Sequence, residues 1–389
     1  MTIRYLVALT LMAGMSLGAQ TLNTGQFGKG LLNLVAADSS FAVAFAPRIQ
    51  LRSHLSSTTS GPIEGGFQVR RARLKFGGWA LSPSIQFKLQ IGLSDRDQAG
   101  ANAYNRNSPN SLLDAVVQWH LPHGFQLWVG QTKLPGNLEQ LVSSANLQLL
   151  DRSIHSSFFT LGREAGIQVH HQQHWGSVVT RAKLALSQGE GRNVTEGNQG
   201  GWQQTARFEC LPMGAFSKKG DFFQGDLARE SSPKLMLSYT FNRNAQSVRT
   251  RGGKGSYMQL SDGSMHMTDI STHMVDLMFK YRGLSFMGEV ASRQAVDPFA
   301  VEPDGLIAYT VSEGVGYSAQ MGCMLPKDFE VVVRLSNLQP THGSATTDQS
   351  IGLSKYLKGH KLKLQTDLTL SNQTGAPAWL MRSGMELHF

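Results

Sequence analysis

Two cysteines in 389 residues, Cys210 and Cys323, leave room for at most one disulfide. After residue 17 the chain has no long apolar run, so no transmembrane helix follows. Its net charge of +9 is a modest excess, too small by itself to argue for nucleic acid as a partner. The sequence has no G-x-S-x-G elbow, no H-E-x-x-H pair and no G-x-G-x-x-G loop, and nothing else singles out a nucleophile with its base. Helical periodicity barely appears.

What the chain does have is alternation. IQFKLQIGLS sets Ile85, Phe87, Leu89, Ile91 and Leu93 against Gln86, Lys88, Gln90, Gly92 and Ser94, and KLKLQTDLTL and FEVVVRL repeat the pattern. A period of two means a strand with one apolar and one polar side. Sixteen such strands are expected, starting near residues 41, 67, 83, 112, 125, 164, 176, 202, 234, 272, 283, 314, 328, 348, 360 and 378. The last one runs to the final residue, with Trp379, Met381, Met385, Leu387 and Phe389 on one face. At the other end, Arg4, the apolar stretch Leu6 to Leu17 and the small Ala19 read as a secretory signal peptide, residues 1–19.

Connections alternate in length. Short turns at 81–84, 121–124, 174–176, 281–283, 325–328 and 358–360 lie between long polar loops at 53–66, 95–110, 134–162, 189–201, 244–271, 293–313 and 339–347. The link 213–233 is long where a short turn is due. Such asymmetry, with strands of about ten residues and aromatics at their ends (Trp79, Trp119, Phe125, Tyr281, Trp379), predicts a transmembrane antiparallel β-barrel. A secreted sandwich or lectin-like domain is the competing all-β reading, since inverting inside and outside leaves the periodicity unchanged. In the barrel reading Phe389 faces lipid and marks the chain for the barrel assembly machinery. An even strand number puts both termini on the periplasmic side.

Several stretches resemble the phosphate-selective porin O and P family of Gram-negative outer-membrane channels: FGKGLLNLVAADSSF (27–41), RRARLKFGGWALSPSIQFKLQIGLS (70–94), VGQTKLP (129–135), LLDRSI (149–154), GREAGIQVHH (162–171), QGDLARESSPKL (224–235), VDLMFKYRGLSFMGEV (275–290) and KYLKGHKLKLQ (355–365). Their order along the chain follows the family. The resemblance implies a sixteen-stranded barrel over 41–389, preceded by a periplasmic segment 20–40 and assembled as a homotrimer. It implies passive flow of small solutes, a loop after the fifth strand (134–162) folded inward as a constriction, and an ordered periplasmic insertion at 213–233.

If the apolar faces meet lipid, the opposite faces line a lumen. Strand phase then turns Arg71, Arg73, Lys75, Lys88, Arg181, Lys183, Arg207, Lys280, Arg334, Lys361, Lys363 and Arg382 inward, with Asp114, Glu209, Asp276, Glu289, Glu330, Asp367 and Glu386. Loop 134–162 adds only Arg152, flanked by Glu139 and Asp151, with Lys133 and Arg163 at its ends. A surplus of cations on the wall concentrates anions, and Arg71, Arg73 and Lys75 stack along one strand. Many of these charges also suit structural cross-links between strands. One loop arginine is thin support for a phosphate grip. Cys210 and Cys323 fall on lipid faces of strands eight and twelve, too far apart to bridge, and His170 and His171 point to opposite faces.

The expected function is therefore an outer-membrane porin, passing small hydrophilic solutes with mild anion preference. A phosphate- or other anion-selective channel is the alternative, and a barrel enzyme or a surface adhesion or scaffold protein stands further off. No catalytic residue, metal or cofactor is expected. The expected partners are outer-membrane lipid, the assembly machinery, two further copies of the chain, and anionic or neutral solutes.

Overall fold

The computed structural model describes residues 21–23, 27–58, 61–98, 110–195, 197–373 and 376–389. The expected signal peptide lies outside them, as does most of loop 95–110. Sixteen antiparallel strands form the wall: β1 Arg48–Thr58, β2 Glu64–Ala80, β3 Ser82–Gly92, β4 Leu112–His120, β5 Phe125–Lys133, β6 Arg163–Trp175, β7 Val178–Ser187 and β8 Gln203–Leu211, followed by β9 Lys234–Ser247, β10 Thr268–Tyr281, β11 Leu284–Ala295, β12 Gly314–Met324, β13 Phe329–Pro340, β14 Thr346–Tyr356, β15 Leu362–Gln373 and β16 Ala376–His388. Each pairs with its neighbours in sequence, and β16 returns to β1 with Ala378 opposite Thr58 and His388 opposite Arg48. The sheet is closed.

The first expected strand, starting near residue 41, is present in two parts. Phe41–Phe45 continues the register of β1 along β2, from Arg48 opposite Arg73 to Phe45 opposite Phe76 and Phe41 opposite Ala80, with the Ala46 N–H donating to the Lys75 carbonyl at 2.8 Å, and its other edge pairs with Leu32–Val35. Pro47, which has no N–H to give a ladder, separates it from β1. The ladder along β2 therefore begins at Phe41, and the pairing with β16 begins at Arg48. Leu32–Val35 and then Thr21–Asn23 add two short strands to the other edge of Phe41–Phe45. The Phe389 N–H donates to the Pro47 carbonyl at 3.1 Å, and its ring meets Phe27 in a T-shaped contact at 5.8 Å.

Outward positions are apolar and uncovered by protein. Val275, Val290, Val315, Val333 and Ile351 are about half exposed and Phe67 is 93% exposed, which suits hydrocarbon and not water. No helix among the described residues is long and apolar enough to cross a membrane. Strands run further into the loops than the pattern suggested, leaving only residues 59–63 and 341–345 as connections there. Loop 296–313 carries its own hairpin, Phe299–Val301 with Ile307–Thr310.

The inward faces are less uniform than alternation predicts. Met236, Met278 and Met287 point inside and form a dry cluster with Val179, Leu211, Leu138, Val142 and Leu147 of loop 134–162, and Phe216 of segment 213–233. One half of the lumen is thus packed like a protein core, and the other half stays open.

Candidate functional site

Loop 134–162 leaves β5 at Lys133 and returns at Arg163, and in between it lies against the inner face of β8 to β16. Its first turn, Leu138–Leu141, is received by two wall carboxylates: Asp276 accepts the Leu138 N–H at 3.3 Å and Glu289 the Glu139 N–H at 2.5 Å. Further on, Asp367 accepts the Leu150 N–H at 2.9 Å, and Glu330 accepts Gln148 Nε2 at 2.6 Å. A second short helix, Ile154–Phe159, is capped by Ser153, whose hydroxyl accepts the Ser156 N–H at 2.9 Å. Arg293 donates to the carbonyls of Phe158 and Phe159 at that helix's end, both at 3.0 Å. The wall thus presents carboxylates to loop N–H groups and guanidiniums to loop carbonyls, which satisfies backbone that water cannot reach.

The open half is a cavity of about 730 Å³ between the loop and strands β1 to β8. Ten basic side chains line it: Arg48, Arg73, Lys75, Lys88, Lys133, Arg152, Arg163, Arg181, Lys183 and Lys219, against two carboxylates, Glu209 and Asp221. Most are paired. Lys88 and Arg163 share the buried Asp114, each at 3.1 Å. Lys183 meets Glu209 at 2.6 Å, and Arg181 meets Asp221 at 2.5 Å. Arg73 grips Asp97 with both arms, at 2.7 and 2.6 Å. Burial opposes ionisation of Asp97, yet the Arg73 fork holds its carboxyl below the ordinary range. Lys133 donates to the carbonyls of Gln140, Leu141 and Val142, and Arg152 to those of Glu139 and Val142, so these two line the cavity while tying the loop to itself.

Seven of the expected lumen cations do not line this cavity, six of them because loop or segment covers them. Arg207 is buried against Asp276 and the Gly136 carbonyl, Arg334 against Glu139, and Arg382 against Asp367. Lys363 donates to the Leu147 carbonyl at 2.6 Å, Lys280 to three carbonyls of segment 213–233, and Arg71 to Gln50. Loop and segment cover them, so they are anchors and not pore-lining groups. Lys361 sits at the short-turn end, 3.4 Å from His388. His170 lies by Trp128 and His171 by Phe125, on opposite faces of β6.

Strand phase also missed cations. In the β1–β2 ladder Gln50 faces Arg71 while Leu51 faces Val69, so Arg70 is an extra, bulged residue. The bulge aims Arg70 inward beside Arg71, and both reach Asp151 of the loop. Two adjacent arginines on an otherwise alternating strand were the available sign. Arg48 and Arg52 were missed although they alternate with the outward Ile49 and Leu51 on the same strand.

A closed sixteen-stranded barrel, apolar outside, with a polar lumen narrowed by an inward loop, defines an outer-membrane barrel of the porin type. Residues 58–215 match the family described as phosphate-selective porin O and P. The fold is similar to that of the anion-selective porin from Comamonas acidovorans, at 10% identity and a TM-score of 0.55 over 90% of this chain and 100% of that one. It is similar to the outer membrane channel DcaP of Acinetobacter baumannii, at 9% identity and 0.55 over 91% and 99%. OmpT of Vibrio cholerae in its trimer form gives 11% identity and 0.52 over 90% and 100%. At such identities the likeness is one of fold. No curated protein sequence matches the chain.

Proposed function

We propose that this protein is a passive outer-membrane channel for small hydrophilic solutes, with a mild preference for anions. The observation that carries this reading is the charge of the open cavity, where ten cations face two carboxylates and the nearby Asp114. A net positive, water-filled passage raises local anion concentration and repels cations. The selectivity is mild because the cations at the loop, Lys133 and Arg152, already donate to backbone carbonyls, and the arginines around Asp151 are covered. A dedicated phosphate grip needs free, converging donors at the narrowest point. The anion-selective porin of Comamonas acidovorans, which shares the fold, supports the same reading. In this proposal the chain inserts through its Phe389-ended strand and works as a homotrimer.

Planar-bilayer recording under a salt gradient tests it. Open, ohmic steps with a reversal potential on the anion side are expected, with chloride current little changed by added phosphate. Strong block by phosphate would move the assignment to a phosphate-selective channel, and a folded barrel that never conducts would end the channel reading.

A further inference from the structure

Segment 213–233 joins β8 to β9 on the short-turn side, yet it does not stay outside the barrel. Its residues Phe216, Lys219, Asp221 and Phe222 line the open cavity. Three hydrogen bonds tie it directly to the inward loop. The Gln148 N–H donates to Gln224 Oε1 at 2.8 Å, the Gln224 N–H donates to the Asn146 carbonyl at 3.2 Å, and Asn146 Nδ2 donates to the Phe222 carbonyl at 3.0 Å. Gln320 of β12 bridges the two, its Nε2 lying 2.7 Å from Gln148 Oε1 and 3.2 Å from Gln224 Oε1. Phe216 adds an apolar contact through the cluster that holds Leu138, Val142 and Leu147.

The segment is itself held firmly. Lys280 Nζ donates to the carbonyls of Gly220, Phe223 and Gly225 at 2.8, 2.9 and 2.7 Å, and Asp226 accepts the Gly283 N–H at 2.7 Å. Gln148 and Gln224 are both almost fully buried, so neither amide has water as a substitute partner. The wall grips the loop at Leu138, Glu139 and Leu150 and also takes the Leu147 carbonyl and the Gln148 side chain, while the Gln148 N–H and both polar ends of Asn146 are held by the segment.

We propose that segment 213–233 is a latch that holds the inward loop from the short-turn side, with Gln224 as its positioning residue. The width of the passage is then set by two segments gripping each other. Only the electrical readout of this proposal rests on the channel reading.

The test compares wild type, Gln224→Ala and Asp221→Asn as purified barrels, each shown to be folded by its resistance to unfolding in cold SDS. Amide hydrogen exchange over residues 143–149 is expected to quicken about tenfold in Gln224→Ala, the loss of roughly one net hydrogen bond, with wall strands unchanged. Open-channel current noise is expected to rise with it. Asp221→Asn, which removes one cavity carboxylate, leaves Arg181 to Glu209 and keeps the three bonds between segment and loop, is expected to shift the reversal potential and leave exchange as in wild type. Unchanged exchange in Gln224→Ala overturns the latch. If that variant does not fold, Asn146→Ala, which removes only the bond to Phe222, is read in the same way. A wild type that never conducts removes the channel reading, and exchange still decides the latch.

Discussion

Asp151 is outnumbered. Arg70 reaches it at 2.7 Å, Arg71 at 3.3 Å and Arg382 at 3.7 Å, and Arg52 also touches it. Asp367 offsets part of the surplus by taking Arg382 at 2.6 Å. That group is mostly shielded by the loop, whereas Lys75 lines the open cavity and has no ion-pair or hydrogen-bond partner among the described residues. Its charge therefore acts on whatever passes. Lys75→Glu changes the local charge by two units, worth about a fourfold change in ion occupancy at ~10 Å through water before screening. The anion-to-cation permeability ratio is expected to fall by roughly twofold to fourfold at low salt, read from the reversal potential. A ratio that stays put would show that solutes do not pass Lys75.

The loop has to fit against its wall, and glycine makes the room. A Cβ on Gly352 of β14 would stand 2.4 Å from Leu149 Cδ2, and one on Gly322 of β12 would stand 2.0 Å from Gln148 Nε2. Gly352→Val is expected to push residues 147–150 toward the open side, lower the single-channel conductance and cost about 1–3 kcal/mol of stability, as overpacking does. An unchanged conductance step and thermal transition would mean that the loop is not seated there. The strands themselves were legible because hydrocarbon outside selects every second residue, as in Ile85 to Leu93. Arg70 was not, since one bulged residue shifts the phase on either side of it. Nor was the role of Met278 or Lys280, because a loop more than a hundred residues earlier covers the first and an insertion the second. Alternation reports which face a residue takes; it carries no word of what lies opposite.

At the scale of the whole barrel, copies of the chain have a shared surface problem, since among the described residues the outward faces carry many large apolar side chains that stay exposed. Native mass measurement in mild detergent is expected to show three copies that separate on heating, and a single copy across a wide range of protein concentration would sink the trimer. The closure of β16 on β1 has a further consequence. Its partners, from Arg48 opposite His388 to Thr58 opposite Ala378, lie more than three hundred residues apart in sequence. Fourteen of the sixteen strands can find both neighbours locally, but these two wait for the whole chain, so closure pays the largest loop entropy of any pairing. Until it happens the sheet has two raw edges whose unpaired N–H and C=O groups can zip onto any other strand. The chain stays adhesive until the thirteen residues of its final strand are in place.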